Sequence, residues 1–244
     1  MRRFPAATGI ILALTAGSFF GGTGHFAKAS GSPEKPSWSR SLDSTSSAQP
    51  TPASPRVRDT AQTFLRTPSS SAKADATATS SADCDGCAGE ATTVQVVYYD
   101  ARKGSATADN IASAWATSCA DCSASAVSVQ VVVAPRRESV TVNNRAIAVN
   151  ASCASCSTSA AALQFVFAGG PRRELSSAAR DLVAQIKAEL ADRLESAAEK
   201  SDARQARARA KAATEDAAAR LERIIAKDLG GGAVERFLDV EVGS

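Results

Sequence analysis

Apolar and polar residues alternate in three segments that recur along the chain. The segments are rich in β-branched and aromatic residues, which favour strands over helices. One set of alternating positions is large and apolar, and we predict that it faces a core: Val94, Val96, Tyr98, Val129, Val131, Val133, Leu163, Phe165 and Phe167. The other set is small and ends in an amide: Ala91, Thr93, Gln95, Ala126, Ser128, Gln130, Ala160, Ala162 and Gln164.

A Cys-x-x-Cys pair precedes each of these strands, and the first cysteines of successive pairs are 35 and 34 residues apart. The pairs are Cys84 with Cys87, Cys119 with Cys122, and Cys153 with Cys156. Shorter alternating segments at 110–116 and 144–150 lie ahead of the second and third pairs. The repeating unit is therefore strand, cysteine turn, strand, and such a period is typical of copies that bury their apolar faces against each other.

The connections between these strands are short. Both kinds have fewer residues than the dozen or so that a parallel crossover needs. We therefore predict an α+β fold in which residues 73–168 form an antiparallel meander of about six strands, followed by a C-terminal helical hairpin.

The C-terminal region, 169–244, has the periodicity of amphipathic helices. Ser176 is a suitable N-cap. One helical face is then apolar through Leu182, Ile186, Leu190 and Leu194. The apolar stripe lapses at 199–202, and a second one ends at the glycines 230–232. These breaks predict two antiparallel helices, and the alternating residues 238–242 are predicted to pair along a sheet edge.

The N-terminus has the features of an export signal. A basic start, an apolar run and the small residues around Ala27 and Ala29 predict a signal peptide at 1–29. Glycine, serine and threonine interrupt the run, so it is shorter than the ~20 apolar residues of a spanning helix, and an uncleaved anchor is the alternative. Residues 30–72 are dominated by Ser, Thr, Pro and Ala, which predicts a disordered linker.

The amino-acid composition then excludes several classes of catalytic and metal site. The only histidine, His25, lies in the predicted signal. Nucleophilic triads and His-Glu-x-x-His zinc hydrolases need imidazole groups, so we predict no catalytic residue, no cofactor and no resident metal. A basic cluster lies in the second helix, but acidic residues flank it and the net charge is only +3. A solvated helix face is therefore favoured over nucleic-acid binding. The cluster comprises Arg204, Arg207, Arg209 and Lys211.

Six cysteines in an exported chain are typical of a structural disulfide framework. Loop entropy favours bridges between repeats, at ~4 kcal/mol against ~2 kcal/mol for a local loop. In a meander, however, turns at the same edge are two strand spacings apart, about 9.5 Å. That distance exceeds the ~7 Å limit on the Cα separation of a disulfide, so we predict that each pair closes on itself.

Two other chemistries use Cys-x-x-Cys pairs. A four-cysteine zinc site joins two pairs, usually at a shorter spacing, and would leave the third pair over. A dithiol redox site needs a pair at a helix N-terminus, whereas these pairs precede strands. Both remain as the alternative to a structural framework.

The third repeat resembles a known family. The resemblance rests on the pattern Asn144-x-Ala146-x-Ala148-x-Asn150, then Cys153-x-x-Cys156-x-Thr158-x-Ala160-x-Ala162-x-Gln164, before a Gly-Gly-Pro sequence and a helical tail. This pattern is similar to an extracytoplasmic module of actinobacterial secreted proteins, the C-terminal region of peptide zinc metalloproteases. The protease part has no counterpart here, so the resemblance implies an exported accessory module.

We therefore expect a secreted, non-enzymatic, disulfide-stabilised module with an unknown protein or cell-envelope partner. We expect no nucleic-acid partner and no membrane span after signal removal. The alternative is a thiol-disulfide redox or zinc-binding protein that acts through its Cys-x-x-Cys pairs.

Overall fold

The structure is a computed structural model that describes residues 37–38, 42–100, 104–171, 173–199 and 202–243. The predicted signal peptide, His25 and the first part of the predicted linker lie outside the described residues. The described chain forms a parallel β-solenoid of about four coils, followed by two helices and a final strand. One coil is one passage of the chain through both sheets.

Two sheets form the solenoid. Sheet A has six strands in the order β1-β3-β5-β7-β9-β10, and sheet B has four in the order β2-β4-β6-β8. The elements are β1 Ser37–Trp38, β2 Ser44–Ala48, β3 Arg56–Thr67, β4 Ser71–Ala82, β5 Ala88–Tyr99, β6 Ser105–Thr117, β7 Ser123–Ala134, a 3-10 turn Arg137–Ser139, β8 Val140–Ala151, β9 Ser157–Ala168, α1 Ser177–Ala198, α2 Ala203–Leu229 and β10 Ala233–Val242.

The prediction of an antiparallel meander is wrong. From β2 to β9, consecutive strands lie in opposite sheets, and each pairs in parallel with the strand one coil away, as Val94 does with Val129 and Val129 with Leu163. The short connections misled the prediction because it placed consecutive strands in one sheet. Here the strand of sheet B is itself the crossover between two parallel strands of sheet A, so the distance along the chain is a whole coil.

The prediction of a disordered linker also fails for residues 42–72. They form β2, β3 and the start of β4, and β3 pairs with β5 along its whole length. Small residues of this segment, such as Ser46 and Ala48, are buried. A composition of Ser, Thr and Ala suits the narrow interior of the solenoid as well as it suits a linker, so composition alone did not separate the two.

Sheet A is buried on both faces along its central strands β5, β7 and β9. Its outer face carries the large apolar residues, and these pack against α1 and α2, as the alternation predicted. Its inner face carries the small residues and the amides, and it packs against alanines of sheet B such as Ala112 and Ala114. The sequence identified both faces but assigned a core to one of them only.

The helices match their predicted limits closely. Ser176 is the N-cap of α1 and its hydroxyl accepts a hydrogen bond from the amide of Ala179 at 3.2 Å. Gly230, with a φ of 83°, ends α2. Leu182 is 44% exposed and lies outside the buried stripe of α1, which runs from Ala179 through Val183, Ile186, Leu190 and Leu194. β10 pairs antiparallel with β9 and so covers the last edge of sheet A, which would otherwise be open to pairing with another chain.

Candidate functional site

The three cysteine turns connect sheet B to sheet A at the same edge of successive coils. The strand register shows how they differ: Ala82 is paired with Ala116, and Ala88 with Ser123. The first cysteine turn, 83–87, therefore has five residues, whereas the second, 117–122, has six. The third, 151–156, also has six because Asn150 pairs with Ala116 and Ser157 with Ser123.

The second and third cysteine turns share one backbone shape. Each has a serine with positive φ directly before its first cysteine, Ser118 at 55° and Ser152 at 53°. Each has a second left-handed residue before its last cysteine, Asp121 at 53° and Ser155 at 55°. In the first turn Gly86 alone adopts a positive φ, 67°. The extra serine is thus the residue that the first turn lacks.

Backbone hydrogen bonds lock the second and third turns together. The amide of Ser118 donates to Ala151 O at 3.0 Å, and the amide of Asp121 donates to Ala154 O at 2.9 Å. In the opposite direction, the amide of Ala154 donates to Cys119 O at 3.2 Å. The parallel ladder therefore continues through the turns, and the two cysteine pairs stack in register.

Each Cys-x-x-Cys pair brings its own two sulfurs to disulfide distance. The Cα separations are 5.4 Å in the first pair, 6.2 Å in the second and 5.8 Å in the third. The distance argument against bridges between repeats is nevertheless wrong. Stacked coils place neighbouring turns one strand spacing apart, about 4.8 Å, which is within the reach of a disulfide.

Four sulfurs from the second and third turns form one cluster. The Sγ atoms of Cys119, Cys122, Cys153 and Cys156 all lie within 4.8 Å of one another. Between the turns, Cys122 Sγ is 2.8 Å from Cys156 Sγ and 3.5 Å from Cys153 Sγ. Cys119 Sγ is 3.7 Å from Cys153 Sγ and 3.9 Å from Cys156 Sγ. Cys119 and Cys122 are buried, whereas the other two are half-buried.

The first pair is outside this cluster. Its second cysteine keeps the register, with Cys87 opposite Cys122, but the shorter turn displaces its first cysteine. Extending the register of β4 and β6 by two residues places Cys84 opposite Ser118, not opposite Cys119. The Asp85 carboxylate accepts a hydrogen bond from the amide of Ala120 at 2.7 Å, where the longer turns use a backbone carbonyl. The change of the cysteine spacing from 35 to 34 residues is the sequence signal of this difference between the turns. Which sulfurs it brings together depends on how the turns stack.

A row of buried amides, which the sequence prediction left without a role, runs through the solenoid interior. Gln164 Nε2 donates to Gln130 Oε1 at 2.5 Å, and Gln130 Nε2 donates to Gln95 Oε1 at 2.6 Å. The same nitrogens reach carbonyl oxygens of sheet B, as Gln130 does to Ala74 O at 2.9 Å. All three glutamines are fully buried. Hydrogen bonding of both partners makes this burial tolerable, so the row is structural.

Lys187 is a buried cation of α1. Burial lowers the pKa of Lys187 to about 8, and the nearby carboxylate of Glu90 opposes this shift. Burial also raises the pKa of Glu90, which forms a 2.6 Å ion pair with Arg58. Lys187 of α1 and the pair of Glu90 and Arg58 on sheet A thus interact across the contact between helix and sheet. This contact does not involve the cysteine turns.

The other candidate surfaces are simpler. The four basic residues of α2 named above are exposed on its solvent side, and Lys211 lies 3.9 Å from Glu215 one turn on. In the part of the chain that the structure describes, the helices pack on sheet A and leave the outer face of sheet B uncovered, and Trp115 on β6 is 38% exposed. The half-buried Ile111 and Ile147 belong to the same face.

Comparison with known proteins supplies no relative. No protein-family model, no curated protein and no solved structure matches the chain. The resemblance to the actinobacterial module therefore stays a prediction. Within the described ranges, none of the helices has the length and apolar content of a membrane span.

Proposed function

We propose that the chain is an exported, non-enzymatic β-solenoid of the cell envelope that binds a protein or envelope partner. The observation that carries this proposal is the repeated cysteine pair, at disulfide distance in three successive turns along one edge. Stable disulfides are typical of oxidising, extracytoplasmic compartments. The pattern at residues 1–29 supports export independently.

The cysteine turns support a role as a rigid scaffold. In a solenoid each coil contacts only its neighbours, so stability depends on local units and on the interfaces between them. A local disulfide closes a short loop and contributes about 2 kcal/mol. The turns combine this with left-handed serines, whose backbone conformation is unfavourable for residues with a side chain. Disulfides at these positions hold the turns in the shape that stacking requires.

The outer face of sheet B is the partner-binding surface in this proposal. The helices cover the outer face of sheet A, whereas Trp115 is exposed on sheet B beside Ile111 and Ile147. Exposed aromatic and aliphatic side chains that form a contiguous patch are characteristic of interaction sites.

The first test is the redox state of the exported protein. We expect full-length chain, secreted by a bacterial host and denatured in the presence of a thiol reagent, to contain no free thiols and no zinc. Peptide mapping without reduction is expected to join each cysteine to the one three residues away. Four free thiols with bound zinc, or a chain retained in the cytoplasm, would contradict an oxidised exported scaffold.

The second test is binding to washed cell envelopes. We expect Trp115→Ala to lower the bound fraction about tenfold, since truncation of a central aromatic residue typically costs more than 1 kcal/mol. Leu182→Ala is the matched control because Leu182 is the other large apolar residue that is exposed among the described residues. Both variants are compared by circular dichroism. Equal binding by Trp115→Ala and the parent would show that the outer face of sheet B is not the binding surface.

Thiol chemistry is the second candidate function. The four-sulfur cluster of the second and third turns favours its zinc-binding form, because a four-cysteine zinc site needs the sulfurs of two pairs in contact. Two difficulties for zinc, the long spacing along the chain and the unused third pair, do not arise when two stacked turns supply all four ligands. The pairs still precede strands, so the redox form gains no support.

A further inference from the structure

We propose that Cys119, Cys122, Cys153 and Cys156 form a tetrathiolate site for one Zn²⁺ when their two disulfides are reduced. This site goes beyond partner binding and does not depend on it. It makes the edge of the solenoid a redox-dependent metal site: two disulfides in the oxidised state, and one four-coordinate zinc in the reduced state.

The distances between the turns fit tetrahedral zinc. Zinc–sulfur bonds of about 2.3 Å place neighbouring sulfurs of a tetrahedron ~3.8 Å apart. Three of the four separations between the turns are 3.5, 3.7 and 3.9 Å. The fourth, between Cys122 and Cys156, is 2.8 Å and has to open by about 1 Å. Breaking the bond within each pair frees these sulfurs to separate by rotation of their side chains.

The backbone around the cluster is already organised. Hydrogen bonds from Ser118 to Ala151 and from Asp121 to Ala154 hold the two turns in register. The matching left-handed serines, Ser118 and Ser152, direct both turns along the same path. Four ligands on a fixed scaffold match a structural zinc site, which is closed by protein ligands alone.

The first cysteine turn provides an internal control. Its sulfurs belong to a turn that is one residue shorter, with Cys84 opposite Ser118. Cys87 lies opposite Cys122, but the cluster within 4.8 Å contains the second and third pairs and neither Cys84 nor Cys87. The proposal therefore predicts one metal ion for six cysteines, and it names the four that bind.

The change of state balances with a dithiol as reductant. Each disulfide accepts two electrons and two protons, and one dithiol is oxidised to its own disulfide. Reduction of both bridges consumes two dithiols and yields four thiols. Zn²⁺ then displaces the four thiol protons, because thiolates are the ligands. The half-buried sulfurs of Cys153 and Cys156 leave the cluster accessible from solvent.

The test is metal titration of the reduced full-length chain without oxygen. Co²⁺ serves as the probe, since sulfur-to-cobalt charge transfer and the ligand-field bands report tetrahedral thiolate coordination, and Zn²⁺ is then added to displace it. We expect one Co²⁺ per chain and its complete displacement by one Zn²⁺. The Cys84→Ser/Cys87→Ser variant is expected to bind equally well. The Cys153→Ser/Cys156→Ser variant is expected to lose the charge-transfer band.

Circular dichroism accompanies each titration. Absence of metal binding by a reduced chain that keeps its strand signal would overturn the proposal, as would a site that is lost in Cys84→Ser/Cys87→Ser. A reduced chain that loses its strand signal is expected to regain it with one Zn²⁺, and failure to regain it also overturns the site. No partner is present in this assay, and envelope binding is measured on the oxidised chain, so either proposal can fail alone.

Discussion

The central strands of sheet A, β5, β7 and β9, are buried on both faces, but the two faces achieve burial differently. On the outer face, large side chains such as Leu163 and Phe165 fill the space below two helices. On the inner face, residues such as Ala126 and Ala160 allow sheet B to approach closely. The outer face therefore depends on the volume of its side chains, whereas the inner face depends on their smallness.

The two faces of sheet A also differ in whether buried polar side chains are tolerated. The outer face has helices opposite it, whose backbone hydrogen bonds are internal. The inner face has strands opposite it, and buried glutamines reach carbonyl oxygens there, as Gln164 does to Ala108 O at 2.8 Å. Polar side chains on the inner face are thus part of the packing. Amphipathic alternation identifies a sheet's two faces, but it does not show that the polar one is exposed.

The largest expected effect comes from a buried charge on either face. Val131 and Thr93 are both fully buried, and Thr93 Oγ1 donates to Thr77 O at 2.7 Å. We expect Val131→Asp and Thr93→Asp each to cost about 4 kcal/mol or more, because an unpaired carboxylate would be buried. Chemical denaturation followed by circular dichroism measures both. The sequence alone predicts a milder effect at Thr93, so a loss below about 1 kcal/mol there would show that the inner face is not closed.

Changes of volume are expected to have opposite consequences on the two faces. Leu163→Ala on the outer face is expected to cost about 3 kcal/mol by leaving a cavity. Ala126→Leu on the inner face is expected to cost about 2 kcal/mol by forcing the sheets apart. Leu182→Ala, at an exposed position, is the control and should stay within about 0.5 kcal/mol. If Ala126→Leu were neutral or stabilising, the close approach of the sheets would not be a constraint.

The row of amides is expected to show an effect of position. Gln130 is in the middle, donating to Gln95 and accepting from Gln164. We expect Gln130→Leu to cost about 2 kcal/mol because partners on both sides lose a hydrogen bond. Gln164 is at the end and its Oε1 has no hydrogen-bond partner among the described residues, so Gln164→Leu should cost less. Equal unfolding free energies for the two variants would argue against a continuous row.

The smallest effect is expected for Lys187, a buried lysine of α1. Burial lowers the pKa of Lys187 to about 8, so Lys187→Met is expected to raise the unfolding free energy at pH 7 by about 1 kcal/mol. Glu90 keeps Arg58 as its partner. Lys211→Met on the exposed side of α2 is the matched control.

The pH dependence of this effect has a defined sign. The folded chain loses the Lys187 proton near pH 8, whereas the unfolded chain retains it to about pH 10.4. The unfolded state therefore binds more protons in this window, and the stability of the parent rises relative to Lys187→Met as pH increases. Denaturation midpoints at pH 7 and pH 10 measure the change. A difference that is constant with pH would show that Lys187 is not the titrating group.

Local features were predictable because they depend on neighbours in the chain. Alternation assigned Val129 and Val131 to a core face, and capping rules placed the start of α1 at Ser176 and the end of α2 at Gly230. The Cys-x-x-Cys repeat identified equivalent turns. Each of these inferences uses backbone geometry over a few residues, which the sequence specifies directly.

The path of the chain between the two sheets could not be predicted, because it depends on contacts between strands that are one coil apart. The same strands are compatible with a meander or with a solenoid, and the choice follows from which partner lies beside each strand, as Ala126 lies beside Ala160. The composition of residues 42–72 was ambiguous for the same reason, since small polar residues gain burial only when neighbouring coils cover them.

The sequence by itself determined the strands of the cysteine repeats, the helices and the grouping of the six cysteines into three Cys-x-x-Cys pairs. Only the tertiary structure decided that the second and third pairs meet while the first does not. The physical reason is that stacked turns pair in register, so each residue of one turn lies opposite one residue of the next. One residue fewer in 83–87 moves Cys84 opposite Ser118, whereas equal lengths in the next two turns bring four sulfurs within 4.8 Å.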